Sequence, residues 1–206
     1  MESRPVSRRE EGMFGQPHDR KKRTGKEKSY KKGQLLFHPS HGICRIRGIV
    51  RRPELTTDGL CYWIEPKGKG RSTVCFFITR GRLAESGFHI PASEKKASEI
   101  VDYLKKGEKQ KRLMGIERVE TLRALAKKNT ALDYAKALHM IIDHPEQEVN
   151  REMRQLFKYY LEGLVRELSF SLELTVSLAA ALVKASLQER TKLEEWILKV
   201  IDSVEE

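Results

Sequence analysis

The chain changes its hydrophobic rhythm twice. Residues 1–28 have almost no apolar side chains and no periodicity, so they cannot offset the entropy of ordering and are expected to form a disordered basic tail. From Lys31 to about Pro91 the apolar residues gather in short runs rich in Ile, Val, Phe, Tyr and Cys, namely Gln34–Phe37, His41–Arg52, Leu60–Glu65 and Thr73–Thr79. Pro39-Ser40, Thr57-Asp58-Gly59 and Pro66-Lys-Gly-Lys-Gly70 separate them. The runs therefore read as strands, with Asp58-Gly59 a hairpin signal. In the second run Cys44, Ile46 and Val50 alternate with Arg45 and Arg47, which puts the first three toward a core and the arginines on the other face. Strands this short and close together imply a small, bent antiparallel sheet or half-open barrel with edges free to pair.

After Pro91 the rhythm becomes helical. Ala92–Leu104 keeps Ala97, Ile100, Val101 and Leu104 on one side, and Lys105–Arg112 reads as a charged linker. A second helix shows Ile116, Val119, Leu122, Leu125 and Ala126 as its apolar face; a third, Thr130 to Ile142, shows Leu132, Ala135, Leu138, Ile141 and Ile142. His144-Pro145 ends it, since proline disfavours helix at the residue before it. A long amphipathic helix follows from about Val149 to Phe170, then Leu172–Leu187 and Arg190–Val204. The expected fold class is α+β. A tail (1–28) and a small antiparallel β-module (29–91) precede a helix with its charged linker (92–112) and a helical domain (113–206).

Charge sharpens this division. The 206 residues carry 40 Lys+Arg against 29 Asp+Glu, a net +11, which points to a polyanionic partner, nucleic acid first and an anionic membrane surface second. Residues 29–96 hold a net +8 and residues 105–136 a net +6, whereas residues 137–206 are net −5. The basic surface is thus expected to end near Lys136. The most apolar stretch, Leu174 to Val183, is half the ~20 residues a spanning helix needs, and no apolar leader opens the chain. Cys44, Cys61 and Cys75 lack paired spacing, which fits reduced thiols. A soluble cytoplasmic protein without a membrane contact is expected.

No catalytic signature is present: Gly68-Lys-Gly70-Arg lacks phosphate-loop spacing, and neither a nucleophile elbow nor a zincin helix occurs. Enzyme activity, a cofactor and a small-molecule substrate are therefore not expected. His38-x-x-His41-x-x-Cys44 has metal-ligand residue types, but Pro39 and Gly42 interrupt it and no second pair lies nearby, so no metal is expected.

The segment 105–128 is more informative. Lys109, Lys111, Arg112, Arg118 and Lys128 can each neutralise a phosphate, and Met114 and Ile116 lie among them. Cations beside an apolar tip suit a minor-groove contact in which a wedge unstacks a base step. The alternative is a solvated linker, with Met114 or Ile116 packed into the bundle.

The run Tyr30-Lys-Lys-Gly-Gln-Leu-Leu-Phe-His38-Pro39-Ser-His41-Gly42 resembles the opening strand and Tyr-Pro-x-His-Gly turn of the CarD/CdnL family of bacterial RNA polymerase-binding transcription regulators, with His38 replacing the usual Tyr. The resemblance continues through Arg51-Arg52, Tyr62-Trp63-Ile64 and Arg82-Leu83-Ala84-Glu85-Ser86-Gly87. Leu122-Arg-Ala-Leu125 and Leu164-Val-Arg-Glu167-Leu168 are similar to the family's helical segments, so it spans roughly 30–187.

That resemblance implies a Tudor-like module that docks on the lobe of the polymerase β subunit by the edge of its sheet. It also implies a helical domain that contacts promoter DNA and stabilises the open complex. Arg52, with Arg51 beside it, falls on a basic polymerase-contact position, and Phe77 on another where some members have Arg. Met114 falls where the family's Trp wedge sits, and Met153 aligns with a DNA-contacting Lys, leaving Arg151 and Arg154 as the nearest substitutes. The expected function is a non-catalytic, nucleoid-associated regulator bridging polymerase and promoter DNA. Its rival is an interaction module that binds polymerase, or another complex, without touching DNA.

Overall fold

The computed structural model describes residues 29–55, 59–67, 74–107, 113, 115–143 and 150–205. The expectations for the tail, for Asp58 and for the glycine-rich turn at 68–70 lie outside them. Among the described residues four strands, β1 (Leu35–His38), β2 (Gly42–Arg51), β3 (Leu60–Pro66) and β4 (Phe76–Thr79), form one antiparallel meander in sequence order. A short 3-10 helix (Arg80–Glu85) closes the module, and an isolated bridge between Phe37 and His89 covers part of the β1 edge. Among the described residues β1 and β4 do not pair, so the sheet stays open rather than closing toward a barrel.

One face of the sheet buries Leu36, Cys44, Ile46, Tyr62 and Ile64 against Leu83 and Phe88. The pairing of β2 with β3 shifts register between Ile46 and Gly48. That bulge corrects the alternation expected from sequence: Ile49 pairs with Tyr62 on the core side, and Val50 pairs with Cys61 on the other. Ile49 is still 47% exposed, because the sheet runs past its core at this end.

Among the described residues six helices follow: α1 (Glu94–Lys106), α2 (Gly115–Lys128), α3 (Ala131–Ile142), α4 (Arg151–Ser171), α5 (Val176–Arg190) and α6 (Glu195–Glu205). Their starts are chemically marked. The side chains of Ser93, Thr130, Asn150 and Thr175 each accept a backbone N–H in the first turn. Several ends differ from the periodicity reading. Lys105 and Lys106 belong to α1, which ends at Gly107, so the charged stretch begins as helix. α5 starts at Val176 rather than Leu172, because Glu173 turns left-handed after α4 (φ 55°) and Thr175 supplies the cap. Arg190 closes α5, and α6 begins at Glu195.

The bundle core joins Ala97, Val101 and Leu104 of α1 to Leu138 of α3, Leu164 of α4 and Val183 of α5. α1 is therefore part of the bundle rather than a tether to it. Gly163 lets α3 and α4 approach closely, since a Cβ there would lie 2.7 Å from the Tyr134 ring. Phe37 also belongs to this core, with Ile43 packed against it. Leu36 and Phe37, adjacent on β1, thus point into two different cores and join the sheet to the helices. No single described helix is long and apolar enough to cross a membrane; α4 and α5 pass that test only as a pair bent by 115°.

Candidate functional site

The outer face of the β-module carries the first set of expected contact residues. Arg51 ends β2 and Arg52 follows it, its N–H donating to the Gly59 carbonyl across the hairpin mouth. This fixes the start of the Arg52 side chain, whose guanidinium reaches Glu54 at 3.4 Å. The same guanidinium lies 4.4 Å from the centroid of the Phe77 ring. Phe77 pairs with Trp63 across β3 and β4, on the sheet face away from the Tyr62/Ile64 core. The result is a solvent-facing cation over an aromatic ring, beside β4, which is an edge strand among the described residues. A cavity of about 400 Å³ borders that edge between Leu55, Phe77, Thr79 and Arg82. Leu55 is 50% exposed, so the rim is both apolar and basic.

The second expected set is dispersed. Lys109, Lys111, Arg112 and Met114 lie outside the described residues. Arg118 is buried, unlike a phosphate-binding arginine. Its guanidinium donates to the Met140 and Ile141 carbonyls at 3.0 and 3.1 Å, satisfying the end of α3, and burial lowers its pKa from the ordinary value. The inward face of α2 is Arg118 and Leu122, with Leu125 and Ala126 packed against the core as expected, so the correction to the expected face is at its start, Ile116. Ile116, in the first turn of α2, is 78% exposed. Lys128 lies twelve residues further along α2, about 18 Å away at 1.5 Å per residue. It lines a groove between the module and the bundle. Leu132, expected to face the core, lines that groove as well. Arg151 and Arg154 are exposed on α4, where Arg123 of α2 pairs with Glu152 at 2.7 Å. Arg154 leans toward the Trp196 ring at 5.9 Å. Ile116 and Lys128 thus lie at opposite ends of α2.

The join between sheet and bundle is a functional element that motif reading does not single out. Glu167, 1% exposed, accepts the Ala92 N–H at 2.9 Å and faces the His89 Nε2 at 3.0 Å. Because a carboxylate only accepts, the His89 ring nitrogen is the donor. Arg166, its neighbour, donates to the Pro39 carbonyl at 3.1 Å. The available signal was a glutamate set among Leu164, Val165 and Leu168 on the apolar side of α4.

His38 and His41 pack among aromatic rings of the β-module. The two imidazole rings lie 4.7 Å apart, and His38 and His41 also meet Phe88 and Phe76, respectively. Burial, with His41 and His89 nearby, lowers the His38 pKa to about 4. Burial pushes the Cys44 thiol up to about 11. Among the described residues no group of three His, Cys, Asp or Glu side chains is placed to hold a metal ion.

Residues 30–75 match the family model of the CarD-like/TRCF RID domain, which is consistent with a CarD-like family member. The matched segment contains β1, β2 and β3 and stops one residue before β4, so the helices lie outside it. The matched domain is a non-catalytic interaction domain and suggests an RNA polymerase-interacting, transcription-related protein. A search of curated proteins found no match.

Proposed function

From a β-module of the CarD-like/TRCF RID type, we propose a non-catalytic transcription regulator that docks on the lobe of the RNA polymerase β subunit and carries its helical half to promoter DNA. The observation that supports this most is the Arg52–Phe77 stack beside β4, whose edge is free among the described residues. The free edge presents backbone N–H and C=O groups to a partner strand. The stacked arginine offers charge and planar area in one preorganised group, and Arg51 extends the basic rim. Phe77 in place of a basic residue makes this contact more apolar while keeping Arg52 aligned.

On the DNA side, Ile116 is the exposed apolar tip, with Met114 and the basic residues Lys111 and Arg112 just before it in sequence. Arg151 and Arg154 offer further phosphate contacts from α4. An apolar insertion with a few phosphate contacts stabilises melted promoter DNA when it is made better there than on closed duplex. The inward Arg118 favours the second reading, a polymerase-binding module without DNA contact, by removing one cation from the tip. Binding of the full chain to forked promoter DNA, measured across salt concentrations, separates the two. Steeply salt-dependent binding supports the bridge, and its absence leaves the module.

A further inference from the structure

The groove between the β-module and the bundle is a cavity of about 790 Å³. That volume suits a small ligand, and such sites favour seams between packed units. Its walls are mainly apolar and aromatic, with Tyr30 and Phe88 from the module, Tyr103 from α1 and Leu132 from α3. Ile90 and Leu132 remain 52% and 40% exposed there, apolar surface that the fold leaves uncovered.

The charged groups on this lining are unequal. Glu167 is already occupied by His89 and the Ala92 N–H. Lys96, in the first turn of α1, and Lys128, at the end of α2, are both exposed and form no ion pair among the described residues. Glu99 is the remaining carboxylate, one against two lysines, so the balance of uncommitted charge is cationic. α1 and α3 also begin here, but the Ser93 and Thr130 side chains already cap their first turns. The lysines, rather than the helix ends, supply the attraction.

We propose that this seam binds a small amphipathic anion. Its apolar or aromatic body rests on Tyr103 and Leu132, and its single carboxylate, sulfonate or phosphate faces Lys96 and Lys128. A ligand that fills the groove also meets Tyr30 and Phe88 of the module, and so favours the packed arrangement of module and bundle. The inference is independent of polymerase docking, since none of these residues lies on the Arg52–Phe77 face.

The test is titration of the full chain with anilinonaphthalene sulfonate, a fluorescent aromatic anion, followed by competition. Saturable one-to-one enhancement is expected. Lys96→Glu with Lys128→Glu weakens it by about tenfold or more, and Leu132→Trp, which fills the cavity, removes it. Leu178→Ser, on the exposed side of α5, leaves it unchanged. Displacement by decanoate assigns the site to acyl carboxylates, and displacement by adenosine monophosphate assigns it to aromatic phosphates. No saturable binding, an affinity unchanged in both cavity variants, or displacement by neither competitor at millimolar concentration overturns the proposal.

Discussion

Glu167 on α4 and His89 at the end of the β-module meet at 3.0 Å, and the same carboxylate holds the backbone just before α1 through the Ala92 N–H. One buried side chain thus sets how the sheet enters the bundle. Glu167→Ala leaves both donors without their acceptor and is expected to lower stability by about 2–4 kcal/mol. Glu167→Gln, which keeps an acceptor for Ala92, costs less. Urea unfolding of the three proteins checks the order.

Arg118 is expected to act on stability rather than on DNA affinity. Arg118→Met removes the donors from the Met140 and Ile141 carbonyls at an expected cost of about 2–3 kcal/mol. The salt dependence of DNA binding stays as it was. A shallower salt slope with unchanged unfolding would restore Arg118 as a phosphate contact.

Stability falls on mild acidification, with His139 a main cause. Burial, and Arg190 beside the ring, hold its pKa near 4, below the ordinary 6.5. The Arg190 guanidinium donates to Nδ1 at 2.6 Å and also pairs with Asp143 at 2.6 Å, so the native ring is neutral. The unfolded chain takes up a proton below about 6.5 that the native state refuses until about 4. The contribution is therefore present above 6.5 and lost as pH falls toward 4, amounting to about 2 kcal/mol between pH 7 and pH 5. His139→Asn keeps an acceptor for Arg190 and should flatten that loss. His38, also held near 4 but only half-buried and so more screened by solvent, leaves a residual slope. Unfolding at the two pH values measures both.

The proposed DNA contact divides into charge and shape. Arg151→Ala should weaken binding to forked promoter DNA and make the salt slope shallower by about one. Ile116→Ala should weaken binding without changing the slope, because it removes an apolar insertion rather than a phosphate contact. Equal affinity in wild type and both variants removes the contact from this end of α2 and α4.

The alternation of small β-type runs made the meander legible, and i, i+3, i+4 spacing made most helices legible. What escaped depends on partners distant in sequence. The bulge near Gly48 exchanges the sides of Ile49 and Val50, and only the β3 register reveals it. Arg118 looked like a surface cation because its partners, the Met140 and Ile141 carbonyls, lie more than twenty residues away. Ile116 looked like a core residue because periodicity cannot show that the bundle stops short of it. Arg52 and Phe77, each named by family likeness alone, gain a shared geometry that neither position carries in the sequence.

The most direct measurement is affinity of the full chain for the isolated lobe of the polymerase β subunit, for wild type, Arg52→Glu and Phe77→Ala. Docking through the stacked pair predicts saturable wild-type binding, loss of measurable binding for Arg52→Glu, and about tenfold weakening for Phe77→Ala, all three proteins keeping the same unfolding midpoint. Wild-type affinity retained in both variants, or no binding by the wild type, would contradict it.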